Sequence, residues 1–165
     1  MATFNNEHAT RRDYPYPGPA QIYNPPVPFV HAIGGIHPNM TIIIRGVSGP
    51  NPDRFTVYLQ QGSQYEPNYI GMCFDVRFNY GKDKNVVVRN HKQGNWGQEE
   101  RHLPYFPFRP NQSFEIMILV EPHCYKYAVN SQHLLEFNHR IAQMNLIDTI
   151  RINGDVRLTQ VLFQS

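Results

Sequence analysis

The only tryptophan of the 165-residue chain, Trp96, opens the run Trp96-Gly97-Gln98-Glu99-Glu100-Arg101, so an aromatic ring is followed at once by alternating carboxylate and guanidinium groups. A flat ring can cover the apolar C–H face of a pyranose, while Arg, Asn and Glu can hydrogen-bond its hydroxyls in pairs. Two further segments supply the same residue types. Arg77 and Asn79 lie on the polar side of an alternating stretch, and Asn90 ends the stretch after it. These residues together suit a carbohydrate groove. A lone tryptophan in a β protein also serves as core, and Glu99 with Arg101 is also what an ordinary surface ion pair looks like, worth under about 1 kcal/mol. The polar, glycine-flanked surroundings of Trp96 favour exposure.

Other chemistries fit the sequence less well. Glycoside hydrolysis needs two carboxylates across the scissile bond, roughly 5 to 9.5 Å apart. Glu99 and Glu100 are neighbours and on a strand face opposite ways, and Asp75, Asp83 and Glu115 form no spaced acidic motif, so the chain is not read as an enzyme. The eight histidines are scattered, with no pair at ligand spacing, and His139 beside Arg140 reads as a hydrogen-bonded structural residue. No metal or cofactor is expected. Cys73 and Cys124 form no CxxC and read as buried free thiols rather than nucleophiles. Fifteen Lys and Arg against 13 Asp and Glu give +2, too little for a dedicated nucleic-acid binder. No apolar run approaches a membrane span and no signal-peptide pattern opens the chain, so a cytosolic, soluble protein without membrane insertion is expected. The glycosylation sequons at Asn39 and Asn111 are expected to be bare.

The elements that would carry the groove are strands. Residues 1–26 are rich in proline and tyrosine and read as an extended tail. From Val27 to Ser165 short apolar runs alternate with turn residues at the spacing of an all-β, two-sheet antiparallel sandwich. The clearest strand is Ile70–Tyr80, with Ile70, Met72, Phe74, Val76, Phe78 and Tyr80 on an apolar face and Gly71, Cys73, Asp75, Arg77 and Asn79 on the other. Further strands are expected at 40–47, 55–60, 85–90, 114–120, 125–130, 133–137, 149–153 and 156–163. Arg89 falls on the core face with Val87, with no partner visible in the sequence.

Asn85-Val86-Val87-Val88-Arg89-Asn90, followed six residues later by Trp96-Gly97-Gln98-Glu99-Glu100-Arg101, resembles the galectin signature, V-x-N and then W-G-x-E-x-R. The resemblance runs over about 27 to 163 and includes Gly34-Gly35, Arg54-Phe55-Thr56-Val57, Phe137-Asn138-His139-Arg140 and Ile152-Asn153-Gly154-Asp155-Val156. It implies a jelly-roll sandwich of the galectin or concanavalin kind that binds β-galactosides or related glycans on glycoproteins or glycolipids. It also implies export without a signal peptide and leaves room for a homodimer. By matched position Trp96 would stack on galactose, Asn90 and Glu99 would take its O6 side, Arg101 would orient Glu99 and reach the second sugar, and Asn79 would meet O4. One segment departs from the family. Where galectins read H-x-N-P-R, this chain reads Arg77-Phe78-Asn79-Tyr80-Gly81. Losing hydrogen bonds to a charged group costs about 1.5 to 3 kcal/mol, roughly 10-fold to 150-fold in affinity, so selectivity is expected to differ. The alternative is a galectin-fold interaction module with weak or no galactoside binding, directed at another glycan or a protein. Arg77, Arg101, Lys82, Lys84 and Lys92 also suggest a groove more positive than usual.

Overall fold

The computed structural model describes residues 20–165. Positions 1–19 of the expected tail lie outside the described residues. In chain order the strands are β1 (Ala20–Tyr23), β2 (Phe29–Ala32), β3 (Thr41–Ser48), β4 (Arg54–Gln60), β5 (Tyr69–Tyr80), β6 (Asp83–Gln93), β7 (Asn95–Trp96), β8 (Ser113–Val120), β9 (Cys124–Val129), β10 (Gln132–Asn138), β11 (Thr149–Gly154) and β12 (Val156–Gln164). A 3-10 turn spans Met144–Leu146. Two six-stranded antiparallel sheets result, in the orders β1-β12-β3-β8-β9-β10 and β2-β11-β4-β5-β6-β7.

Strand alternation explains the sandwich. Phe55, Val57 and Leu59 of β4, Met72, Phe74 and Val76 of β5, and Ile150 and Ile152 of β11 point inward from the second sheet. They meet Ile42, Ile44, Ile116, Ile118 and Tyr127 of the first, all essentially excluded from solvent. Burying each such side chain stabilises the fold by roughly 1.5–3 kcal/mol. Phe74 stacks on Tyr127 across the gap at 4.3 Å, tying the strand beneath the groove to the opposite sheet.

The structure corrects the sequence reading in three places. Ala20–Tyr23, assigned to the tail, pairs with β12 from Ala20↔Phe163 to Tyr23↔Gln160, so the sheet begins ahead of Val27. Ile70 does not face the core. Gly71 is a bulge residue: Leu59 pairs with Met72 while the next residue, Gln60, pairs with Ile70, and this extra residue turns Ile70 to the outer face. Gly71 itself points inward, where a Cβ would lie 2.7 Å from Tyr125 Oη and 3.0 Å from Ile147 Cγ1. Tyr80 is 42% exposed rather than core, with the Arg54 guanidinium 4.2 Å from its ring.

Candidate functional site

The outer face of the second sheet carries the site. Its outward-facing row comes from alternate positions: Arg54 and Tyr58 on β4, Cys73, Asp75 and Arg77 on β5, and Val88 and Asn90 on β6. These residues, with Trp96, Gly97 and Glu99, line a cleft of about 440 Å³. Trp96 sits on the two-residue edge strand β7, half exposed, with Lys92 Nζ 5.9 Å from its ring. Gly94, at φ 77°, makes the reversal from β6 into β7 that most side chains resist. Beyond Trp96 a smaller cleft of about 140 Å³ continues along the sheet between Tyr58, Gln60, Tyr65, Ile70 and Asn153.

The charged groups form one continuous chain. Arg101 Nη2 lies 2.9 Å from Glu99 Oε1 and Arg101 Nη1 lies 2.9 Å from Asp83 Oδ1. Arg77 Nη1 donates to Asp83 Oδ2 at 2.6 Å and Arg77 Nε to Asp75 Oδ2 at 2.9 Å. Arg54 Nε closes the row 3.6 Å from Asp75 Oδ1. Three guanidinium groups thus face three carboxylates. The positive groove suggested by counting residues does not arise at Arg77 and Arg101, because both are matched by acids. The hydrogen bonds from Arg101 and Arg77 hold Asp83 below the usual carboxylate range. Burial raises Asp75 despite Arg54 and Arg77 beside it. For Arg77, burial works against the charge, but the bonds to Asp83 and Asp75 outweigh it and the net direction is upward. Burial also pushes the Cys73 thiol up, which keeps this floor residue protonated and unreactive.

The sequence-predicted residues are brought together unevenly. Arg77, Asn90, Trp96 and Glu99 line the same cleft, and Arg101 joins it through Glu99. Asn79 is exposed, one step past Arg77 toward the hairpin, and does not line the cleft; its backbone N–H donates to the Asp53 carbonyl at 3.1 Å. Asn90 is 6% exposed: its Nδ2 donates to the Gly97 carbonyl at 2.8 Å, and its Oδ1 accepts from the His91 N–H at 2.8 Å. Glu100, in an isolated antiparallel bridge with Arg89, turns away from Glu99 and pairs with Arg140 Nη2 at 2.7 Å.

Arg54, Tyr58, Asp75, Asp83 and Arg140 were not among the site residues expected from the sequence. Asp75 shares a strand face with Arg77 and was legible in principle, whereas Arg54 reaches Arg77 only through the β4–β5 register. Arg89 proves to be 4% exposed, with Nη1 donating to the Val87 carbonyl at 2.8 Å, and burial lowers its pKa against the pull of Glu100 and Tyr127. His139 donates from Nε2 to the Glu121 carbonyl at 2.8 Å and sets its ring on Tyr125, a structural role. Among the described residues there is no group of three or more His, Cys, Asp or Glu placed to hold a metal, and no helix long and apolar enough to cross a membrane.

Comparison with known proteins gives matches over almost the whole described chain. The family model described as galactoside-binding lectin matches residues 28–163. Galectin-3 of Oryctolagus cuniculus is 37% identical over 143 residues, 86% of this chain and 54% of that protein. Galectin-3 of Mus musculus is 36% identical over 143 residues, 86% of this chain and 50% of that one. The chain therefore spans about half the length of the curated relatives it matches. Among solved structures, the Caenorhabditis elegans galectin LEC-6 superposes with a TM-score of 0.76 at 23% identity, covering 88% of this chain and 96% of that one, a likeness of fold.

Proposed function

Since this chain belongs to the galactoside-binding lectin family, we propose that the cleft on its second sheet binds β-galactoside glycans, with hydroxyl selectivity altered at Arg77 and Gly81. The observation that carries the reading is the half-exposed Trp96 ring standing over the same cleft as Asn90 and Glu99, with Arg101 holding Glu99. A stacked ring supplies affinity for any pyranose with a flat C–H face, and the fixed polar row supplies the choice among hydroxyl patterns. The adjoining smaller cleft, which shares Tyr58 and Trp96, favours oligosaccharides over a single sugar.

Altered selectivity follows from where Arg77 spends its donors. At the position of the family histidine it holds Asp75 and Asp83, and Gly81 brings no cation at all. The guanidinium that the family places at the end of the motif is thereby supplied from its start. Asp83 remains bridged to an arginine, but the histidine's hydroxyl contact is lost. Membership in a lectin family supports a binding rather than a catalytic role. The same reading puts the protein in the cytosol and, once exported, among cell-surface glycoproteins and glycolipids.

A second reading has its own observation. Arg77 is tied at two nitrogens inside the cleft, and this favours an interaction module with little galactoside affinity. A glycan array run with the wild type and Trp96→Ala separates the two. Galactose-containing hits that vanish in the variant support the lectin. An array without hits, from folded protein, leaves the interaction module.

A further inference from the structure

The stretch that carries Trp96 is held from behind by a residue that does not line the cleft. Arg140 lies in the loop after β10, its guanidinium 4.7 Å over the Phe137 ring. Nη1 lies 2.8 Å from the Gln98 carbonyl oxygen and 3.1 Å from both Asn90 Oδ1 and His91 Nδ1, sharing its two protons among these three acceptors, while Nη2 donates to Glu100 at 2.7 Å. One side chain thus joins the end of β6 to the segment that follows Trp96. Gly97 lets the backbone close on this cluster: a Cβ there would overlap the His91 ring and lie 3.2 Å from Arg140 Nη1.

The consequence is the orientation of the Asn90 amide. Its oxygen accepts from two groups, the Arg140 guanidinium and the His91 N–H, that can only donate. Both lone pairs of Oδ1 are therefore occupied, and one Nδ2 proton goes to the Gly97 carbonyl. What Asn90 retains for a ligand is a single N–H. We infer that Arg140 is a positioning residue that acts through Asn90, fixing its amide so that a donor is offered to the cleft and a ligand oxygen acceptor is selected there. The identity of that oxygen, O6 of galactose, rests on the galactoside reading above; the orientation of Asn90 does not.

Arg140→Met keeps a long unbranched side chain and removes every donor, and Arg140→Lys keeps the charge without the fork. Should Arg140→Met fail to fold, Arg140→Lys carries both measurements. The first measurement needs no sugar: solvent exchange of the Asn90 side-chain amide protons by NMR. Exchange should be at least about tenfold faster in Arg140→Met, with Arg140→Lys between, as loss of a charge-assisted bond implies. Unchanged exchange overturns the inference. The second is calorimetric titration with lactose and with its counterpart lacking the galactose 6-hydroxyl. Wild type should prefer lactose by about tenfold, and Arg140→Met should lose most of that preference while holding the deoxy ligand within about threefold. Retained preference, or equal loss of both ligands, contradicts the positioning role. If the wild type binds neither sugar, the galactoside reading fails and the amide exchange alone decides on Arg140.

Discussion

Replacing Trp96 with alanine should separate binding from folding. The side chain is half exposed on an edge strand of two residues, Asn95 and Trp96, both on the surface, and Lys92 Nζ stands 5.9 Å from the ring. Its removal opens no cavity in the core, so stability should change by no more than about 0.5 kcal/mol. Binding should respond strongly. A pyranose laid on the ring hides about 50 Å² of tryptophan and a similar area of its own C–H face, and at roughly 25 cal/mol per Å² this stack contributes about 2.5 kcal/mol, or some 70-fold in affinity. Isothermal titration calorimetry with lactose and a sulfated galactoside, paired with thermal melts, reads both quantities. Trp96→Phe should fall between, because the smaller ring covers less of the sugar. A loss under threefold with lactose, or a melting temperature that falls in step with affinity, would refute the assignment of Trp96 as the platform.

Other substitutions test the geometry around it. Gly71→Ala should destabilise the fold by about 1–3 kcal/mol, since the new methyl meets Tyr125 Oη and Ile147 on the core side of the bulge; denaturant unfolding with an unchanged midpoint would show that the bulge can relax. Arg77→His should free Asp83 from one of its two arginines and raise lactose affinity by several-fold. Adding Gly81→Arg brings an opposing backbone cost of about 1–2 kcal/mol, because residue 81 sits at φ 60°, so the double variant should melt below Arg77→His. His91 predicts a pH dependence. Burial and then the adjacent Arg140 lower its pKa from 6.5, so the unfolded chain takes up this proton first as pH falls. Its stabilising contribution is full above about pH 6.5 and is lost as pH drops through the lower folded value. Replacement by Gln should flatten the melting temperature against pH over that window, and an unaltered slope would remove His91 from the explanation.

Much of the sandwich was legible because β4 and β5 alternate apolar and polar residues over seven or more positions, while β3 and β6 stand out as the apolar runs Ile42-Ile43-Ile44 and Val86-Val87-Val88 between polar residues. β1, β2 and β7 were not, being four, four and two residues long, the first two beside prolines. A bulge is equally silent: Gly71 reads as one more polar-face residue until the pairing of Gln60 with Ile70 shows the strand has slipped by one. The Trp96 cluster stood out because its members are close in sequence. Arg140 did not, since it reaches Asn90 across a separation of 50 residues. Arg77 was visible as a cation, but its neutralisation by Asp83 depends on how tightly the β5–β6 hairpin turns at Gly81, which spacing alone does not reveal.

Titrating lactose into isotopically labelled protein and following backbone and side-chain amide signals tests the proposed groove most directly. The Trp96 indole N–H, the Asn90 side-chain amide and the Arg77 and Arg101 side-chain N–H signals should shift together on one saturable curve, with the first sheet silent. Saturable shifts confined to β3, β8 or β12, or no shifts at millimolar lactose from folded protein, would contradict it.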